Sequence, residues 1–238
     1  SFTERIQVNG VCIRENDVAR LTLAMIERLG GGDMEQWPFR PTFFEFVTIM
    51  ALIYFREQNC ELVVWETGMG GRLDATNIVT PLVSVITNIQ HDHQHWLGHT
   101  LKDIAGEKAG IIKRRVPVIT ATDQPEALEV IHQKAKMNEA PFIVISGEDE
   151  FGKQFVDLLQ EIPLLGAHQK KNATLALAVC CALSEKIPLR KEAVQRGLKS
   201  VSWPGRLQSI RRDQTEFLLD GAHNPDGAAS LALALREY

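Results

Sequence analysis

The chain has 238 residues, with 26 lysines and arginines against 30 aspartates and glutamates, a formal net charge of −4. That length allows one large domain or two modest ones, and the acidic balance argues against nucleic acid or an anionic membrane as the main partner. Hydrophobic residues make up 45% and charged residues 24%, an ordinary globular mixture with enough apolar mass for a sizeable core, and no run reaches the roughly 18 apolar residues of a spanning helix or resembles a signal peptide.

The opening residues read as a strand already in progress. Ile6–Val8 gives a strand and Asn9-Gly10 a turn. From about Asn16 to Leu29, apolar side chains at Val18, Leu21, Met25 and Ile26 keep helical spacing, and Gly30, Gly31 and Gly32 stop the helix. Thr42 and Glu45 form a T-x-x-E capping box behind Pro41, opening a helix to about Asn59. Two short apolar runs follow, ELVVWE at 61–66 and LVSVIT at 82–87, separated by a glycine-rich loop at 67–77. Both are expected to be buried strands. A histidine-rich loop leads to a helix over about 101–112. Then come a strand at 117–120, a helix at 125–138 and a strand at 142–145. Helices are expected at about 169–186 and 189–197. Trp203-Pro204-Gly205-Arg206 breaks the pattern before strands at 207–211 and 216–219, the loop DGAHNPDG and a last helix.

Strands alternating with helices predict an α/β fold with a doubly wound, mostly parallel sheet. The break at Pro204-Gly205 predicts a larger unit over 1–206 and the start of a second at 207–238. The four cysteines, Cys12, Cys60, Cys180 and Cys181, include no C-x-x-C pair, so free thiols in a reducing cytoplasm are expected.

In open parallel sheets, ligands bind beyond the carboxyl ends of the strands. Three expected strands end in polar groups: ELVVWE in Glu66, LVSVIT in Asn88, His91, Asp92 and His93, and EFLL in Asp220 with His223 and Asn224. A carboxylate closing an apolar strand is costly unless paired or metal-bound, and with a glycine-rich loop directly after it Glu66 reads as a site residue ahead of the alternative, an exposed strand end or a cap. Gly68, Gly70 and Gly71 permit close backbone approach to a ligand, but their spacing is not that of a dinucleotide loop. HDHQH at 91–95 can be a metal-binding loop or a polar surface loop. Zinc would want a thiolate or a further ligand, whereas magnesium takes few protein ligands alongside phosphates and waters. Leu101, Ile104, Lys108 and Ile111 form one stripe flanked by Ala105 and Ile112. A lysine on an apolar stripe either snorkels or is used. When desolvated, its amine loses its proton more readily and can add carbon dioxide to become a carbamate.

Taken together, ETGMGGRLDATN (66–77), TNIQHDHQHWLG (87–98), IAGEKAGI (104–111), PTFFE (41–45), GAHQKKNATLALA (166–178), WPGRLQ (203–208) and DGAHNP (220–225) resemble, in order and spacing, the folylpolyglutamate synthase/dihydrofolate synthase family of the Mur ligase superfamily. The likeness spans essentially the whole chain. It implies a P-loop NTPase-like central domain followed by a Rossmann-like glutamate-ligase domain. It also implies a cytoplasmic, monomeric, ATP-dependent enzyme that joins L-glutamate to folate or dihydropteroate through an acyl phosphate.

By the same resemblance, Glu66 and His93 are magnesium ligands, Lys108 is the carbamylated lysine, and Asp92 and His93 share its catalytic loop. Asn172, Arg206 and Asp220 contact ATP. Thr42, Phe43, Phe44 and Glu45, with Leu73, Asp74 and Ala75, line the folate site. Neither nucleic acid nor membrane is implied as a partner. Two departures stand out. Ile89-Gln90-His91 replaces the glycine and apolar residue that commonly precede Asp-His in the family. And no phosphate loop of the form G-x-x-x-x-G-K-S/T occurs, since Gly152-Lys153 lacks both the upstream glycine and the following hydroxyl residue. The family places that loop before Ser1 and extends the second domain past Tyr238, so the 238 residues are expected to be a fragment, inactive alone. The competing readings are another Mur-type ligase, a non-catalytic nucleotide-binding remnant, and a metal-dependent hydrolase built on HDHQH.

Overall fold

The computed structural model describes residues 2–146, 150–153 and 155–237. The chain divides into two compact units, Ser1–Val79 and Thr80–Tyr238.

The first unit begins with an antiparallel hairpin, β1 (Gln7–Val8) and β2 (Val11–Cys12). Asn9 at φ 52° and Gly10 at φ 77° make its turn, the left-handed pair that suits the twist of a two-residue hairpin. Two helices follow, α1 (Glu15–Leu29) and α2 (Phe43–Glu57). The predicted capping box at Thr42 is present: the hydroxyl accepts from Glu45 N at 3.2 Å and the Glu45 carboxylate from Thr42 N at 2.6 Å. Ile6, Ile13, Leu21, Met25, Val47, Met50, Ala51 and Tyr54 form the unit's core. Trp65 packs on this core, edge-on to Phe55, and donates from Nε1 to Thr76 O at 2.9 Å.

In the second unit, β3 (Ser84–Ile86), β4 (Val118–Thr120) and β5 (Phe142–Val144) make a parallel sheet in the order β3-β4-β5 among the described residues. The connections are α4 (Leu101–Ala109), preceded by a short α3 (Gln94–Leu97), and α5 (Pro125–Met137). Period-two alternation assigns the faces. Ile86 and Val118 pack with Ile104, Ala105, Ala127 and Ile131 of α4 and α5. Val85 and Ile119 pack with Leu175 and Ala178 on the other face. Those last two belong to α8 (Ala167–Leu183), which follows the short α6 (Glu150–Lys153) and α7 (Val156–Gln160). The expected α/β layering is therefore present, with helices on both faces. Next come α9 (Lys191–Lys199), an antiparallel hairpin of β6 (Gln208–Arg212) and β7 (Thr215–Leu219), and α10 (Pro225–Glu237).

Two expectations are corrected. ELVVWE at 61–66 is not a strand, and Val64 is 93% exposed. A strand exists only where a neighbour supplies ladder hydrogen bonds, and no described strand pairs with this run. The helix expected to reach 112 stops at Ala109, at the glycine that follows. Cys12, Cys60, Cys180 and Cys181 are free thiols. No helix among the described residues is long and apolar enough to cross a membrane.

Candidate active site

Each unit gathers part of the expected site. In the first, the PTFFE segment and the glycine-rich loop come together. The Phe44 ring lies so close over Gly68 that a Cβ there would collide with it. Asp74 organises the loop. One carboxylate oxygen accepts from Met69 N at 2.8 Å, and the other accepts from Thr76 N at 2.9 Å and from the Thr76 hydroxyl. Burial alone would raise the Asp74 pKa, but the hydrogen bonds from Thr76, Met69 and Gly68 outweigh it and hold the carboxyl below its usual range. Phe43 and Leu73 are exposed, 66% and 79%. Thr42 and Glu45 are committed to the cap of α2. Ala75 opens a single 3-10 turn, Ala75–Ile78. Glu66 is exposed at the end of the unpaired run.

Asp74 carries a prediction of its own. A charged acceptor of several loop N–H groups is worth about 1–2 kcal/mol here after discounting for its partial exposure. A depressed folded pKa means that this stabilisation is complete above the ordinary aspartate value of about 3.9 and is lost as pH falls through the folded value. Asp74→Asn is therefore expected to lower the stability of the first unit at neutral pH and to flatten its dependence on acid. Denaturant melts of both proteins from pH 3 to 7 check this; parallel curves would contradict it.

In the second unit, β3 leads into the Asn88–His93 loop. His93 stands in the left-handed region at φ 50°, and its N–H donates to Asp92 Oδ1 at 2.8 Å. His91 shares a hydrogen bond with Gln94 at 2.9 Å, and the His95 ring meets Trp96 edge-on. Gly98, at φ 104°, turns the chain toward α4, and a Cβ there would strike the Asp103 side chain. Thr100 and Asp103 form a second capping box that fixes the start of α4. Along that helix Ile104 and Ala105 are fully buried, and Lys108 lies half-buried on the predicted stripe. Burial pulls the Lys108 pKa below its ordinary value, and the Asp92 carboxylate opposes that shift.

The third polar cluster lies at the end of β7, in a hairpin rather than in the parallel sheet. Asp220 accepts from Leu207 N at 2.9 Å and Ala222 N at 2.8 Å. The Arg206 guanidinium rests against Gly221, where a Cβ would stand 2.9 Å from Nη1. Asn172, on α8, donates to Gln169 Oε1 at 3.3 Å.

Two further residues stand here: His168, which was not expected as a site member, and Asn224, expected only as part of the third polar cluster. The His168 ring folds back over Gly166 beside Ala234. Burial lowers its pKa, while Asp220 opposes and Arg206 adds to that shift. Asn224 donates to Asp92 Oδ2 at 3.1 Å across 132 positions of sequence. Asn-Pro at the start of a helix is an N-cap signal that was available; nothing local announces the Asp92 contact.

The donor chemistry limits the metals that fit. Among the described residues, no group of three or more His, Cys, Asp or Glu side chains could hold a metal ion. A tetrahedral zinc site needs at least three protein ligands. Asp92 and His93 stand together on the loop after β3, and an imidazole beside a carboxylate suits magnesium, which keeps waters and borrows phosphate oxygens.

The sequence pattern of the Mur ligase middle domain matches residues 22–180. The chain is 39% identical to the dihydrofolate synthase/folylpolyglutamate synthase of Bacillus subtilis (strain 168), over 100% of this chain and 59% of that protein. It is 37% identical to the folylpolyglutamate synthase of Lacticaseibacillus casei, over 99% of this chain and 59% of that one. The chain thus spans about three-fifths of these relatives' length. Among solved structures, an FPGS–AMPPCP–folate complex superposes with a TM-score of 0.86 at 33% identity, over 100% of this chain and 62% of that one. Folylpolyglutamate synthase from Thermotoga maritima gives a TM-score of 0.82 at 34% identity, over 100% of this chain and 57% of that one. With its α/β layering and this match over most of its length, the chain belongs to the Mur ligase family through its middle domain, and the relatives it resembles along its whole length are folylpolyglutamate and dihydrofolate synthases.

Proposed function

We propose that this protein is an ATP-dependent amide ligase that adds L-glutamate to a folate-type carboxylate, dihydropteroate or a reduced folate. The observation that carries the proposal is the joining of two family motifs, HDH and DGAHNP, through the Asp92–Asn224 hydrogen bond, on a chain similar along its whole length to enzymes named for that activity. In this reading a carboxylate oxygen of the folate substrate attacks the γ-phosphorus of ATP and ADP leaves, giving an acyl phosphate. The glutamate amine then attacks the acyl carbon, phosphate leaves, and the nitrogen loses a proton. Neither step needs a covalent enzyme intermediate, so the protein's contribution is positioning and charge neutralisation.

Arg206, Asp220 and Asn172 bind the nucleotide, the guanidinium facing phosphate charge. Phe43, Phe44, Leu73 and Ala75 offer an apolar and aromatic surface to the flat pterin, and Asp74 holds that loop in shape. Asp92, His93 and Lys108 serve the phosphoryl end, with Glu66 as the further carboxylate. Glu66 and His93 are the residues that would hold magnesium. When bound, the ion neutralises phosphate oxygens as charge shifts in the transition state. The larger nucleotide-handling domain over 1–206 and a glutamate-ligase domain from 207 belong to the same proposal.

The test is phosphate release by the intact enzyme. Release is expected only when ATP, magnesium, glutamate and a folate or dihydropteroate are all present. Phosphate release independent of glutamate, or a requirement for a peptidoglycan-type precursor in place of the pterin, would overturn the proposal.

A further inference from the structure

Asn224 uses both ends of its side chain, and the two partners fix which end is which. Its Oδ1 accepts from Gly227 N at 2.7 Å, and its main-chain carbonyl accepts from Ala228 N at 2.9 Å. It is therefore the N-cap of α10, with Pro225 as the first helical residue. A backbone N–H can only donate, so the oxygen must face Gly227. The amide nitrogen is then the end left for Asp92, whose carboxylate can only accept. Asn224 Nδ2 meets Asp92 Oδ2 at 3.1 Å. Serine and aspartate would cap this helix as well as asparagine does, but neither of them offers an N–H with that reach. The choice of asparagine therefore answers to the second contact.

That contact has consequences at both ends. Asp92 Oδ1 is already engaged by His93 N at 2.8 Å, so with Asn224 in place both carboxylate oxygens are directed. The same carboxylate is the charge that Lys108 feels. On the other side, the loop carrying Asn224 is pinned by Asp220, through Ala222 N at 2.8 Å and Leu207 N at 2.9 Å, next to Arg206. One amide thus joins the loop assigned to the phosphoryl end to the loop assigned to the nucleotide.

We infer that Asn224 is a positioning residue: it aims the Asp92 carboxylate, and so sets the Asp92–His93–Lys108 group in register with the Asp220–Arg206 loop. The inference rests on the ligase function proposed above. It does not require Asn224 to touch any substrate.

Two substitutions in the intact enzyme separate this role from simple helix capping. Asn224→Asp keeps the capping oxygen but turns a second carboxylate toward Asp92. Asn224→Ser keeps a capping oxygen and adds no charge. Both are expected to leave the melting temperature within about 3 °C of wild type, since a shift of that size corresponds to roughly 1 kcal/mol in a protein of this length. Both are expected to lower kcat by about tenfold or more, because small misplacements at a reacting centre cost rate rather than binding, with the KM for ATP changed less than threefold. The double variant Asn224→Asp/Asp92→Asn restores a donor–acceptor pair in the opposite sense. Its kcat is expected to exceed the product of the two single effects by fivefold or more, and a crystal structure should show the two side chains in contact again.

If wild type is active and both Asn224 variants keep wild-type kcat, the inference is wrong and the ligase function stands. The inference also fails, with the ligase function intact, if the kcat losses merely multiply in the double variant or if they track a matching loss of melting temperature. If wild type releases no glutamate-dependent phosphate, the ligase function fails and takes the inference with it.

Discussion

Replacing Lys108 with alanine in the intact enzyme is expected to reduce ligase turnover by a hundredfold or more, and millimolar acetate is expected to restore part of it. The reason is the sign of the charge. Lys108 lies half-buried on the apolar face of α4, and burial pulls its pKa down even though Asp92 resists. As an ammonium it would oppose a divalent cation held nearby, by about 4 kcal/mol per unit of charge at 4 Å and an effective dielectric of 20. As a free amine it can take up carbon dioxide and lose a proton, and the resulting carbamate attracts the cation instead. Alanine removes the group and leaves room for a small carboxylate. Arginine keeps a permanent positive charge, so Lys108→Arg is expected to be equally impaired and not rescued. The depressed pKa sets the pH direction: the neutral amine becomes available below the ordinary lysine value of about 10.4, and activity limited by carbamate formation rises with pH and with bicarbonate. A high-resolution map of the ATP-bound enzyme decides the matter. A bare amine at Lys108 there would rule the carbamate out.

Glu66→Gln is the second large effect. Glu66 is exposed, so exchanging its charge for an isosteric amide is expected to leave folding within about 0.5 kcal/mol of wild type. If the carboxylate is a magnesium ligand, turnover falls by about a hundredfold or more, since neutralising the transferring phosphoryl group supplies several kcal/mol of transition-state stabilisation. Raising magnesium should recover part of the rate. A folded Glu66→Gln enzyme with near-normal turnover and unchanged magnesium dependence would remove Glu66 from the site.

The sequence made some of these groups legible and hid others, for physical reasons. Thr42 could be read as a cap because its partner Glu45 lies three residues away and the motif is local. The box at Thr100 was equally local but escaped notice because aspartate stands where glutamate or glutamine is usual. Lys108 was visible as a charge out of place on a helical stripe, and α4 turns that stripe toward the sheet as the spacing required. ELVVWE misled because composition reports a wish for burial, while a strand also needs a partner's N–H and C=O groups. The resemblance marked Asp74 as the polar member of the folate-site lining, and the fold adds what the motif did not announce, that Met69 N and Thr76 N donate to its oxygens and shape the loop. Asp92 and Asn224 are 132 positions apart, and no periodicity or spacing rule reaches that far in a single sequence. Only the folding of α10 against the loop after β3 brings the two together.

The first unit has a hydrophobic centre around Met50 and Leu21, and the second has one around Ile104, Val118 and Ile131 with smaller clusters around Leu175 and Leu177. Cooperativity in unfolding follows the continuity of such a centre, so one midpoint need not describe this molecule. Asp74→Asn acts on the first centre's domain of cooperativity, whereas the cap-conserving changes at Asn224 leave the second's near its wild-type midpoint. Heat-capacity traces with resolvable components would therefore report Asp74→Asn on one transition alone, and a single-probe melt would average away the distinction.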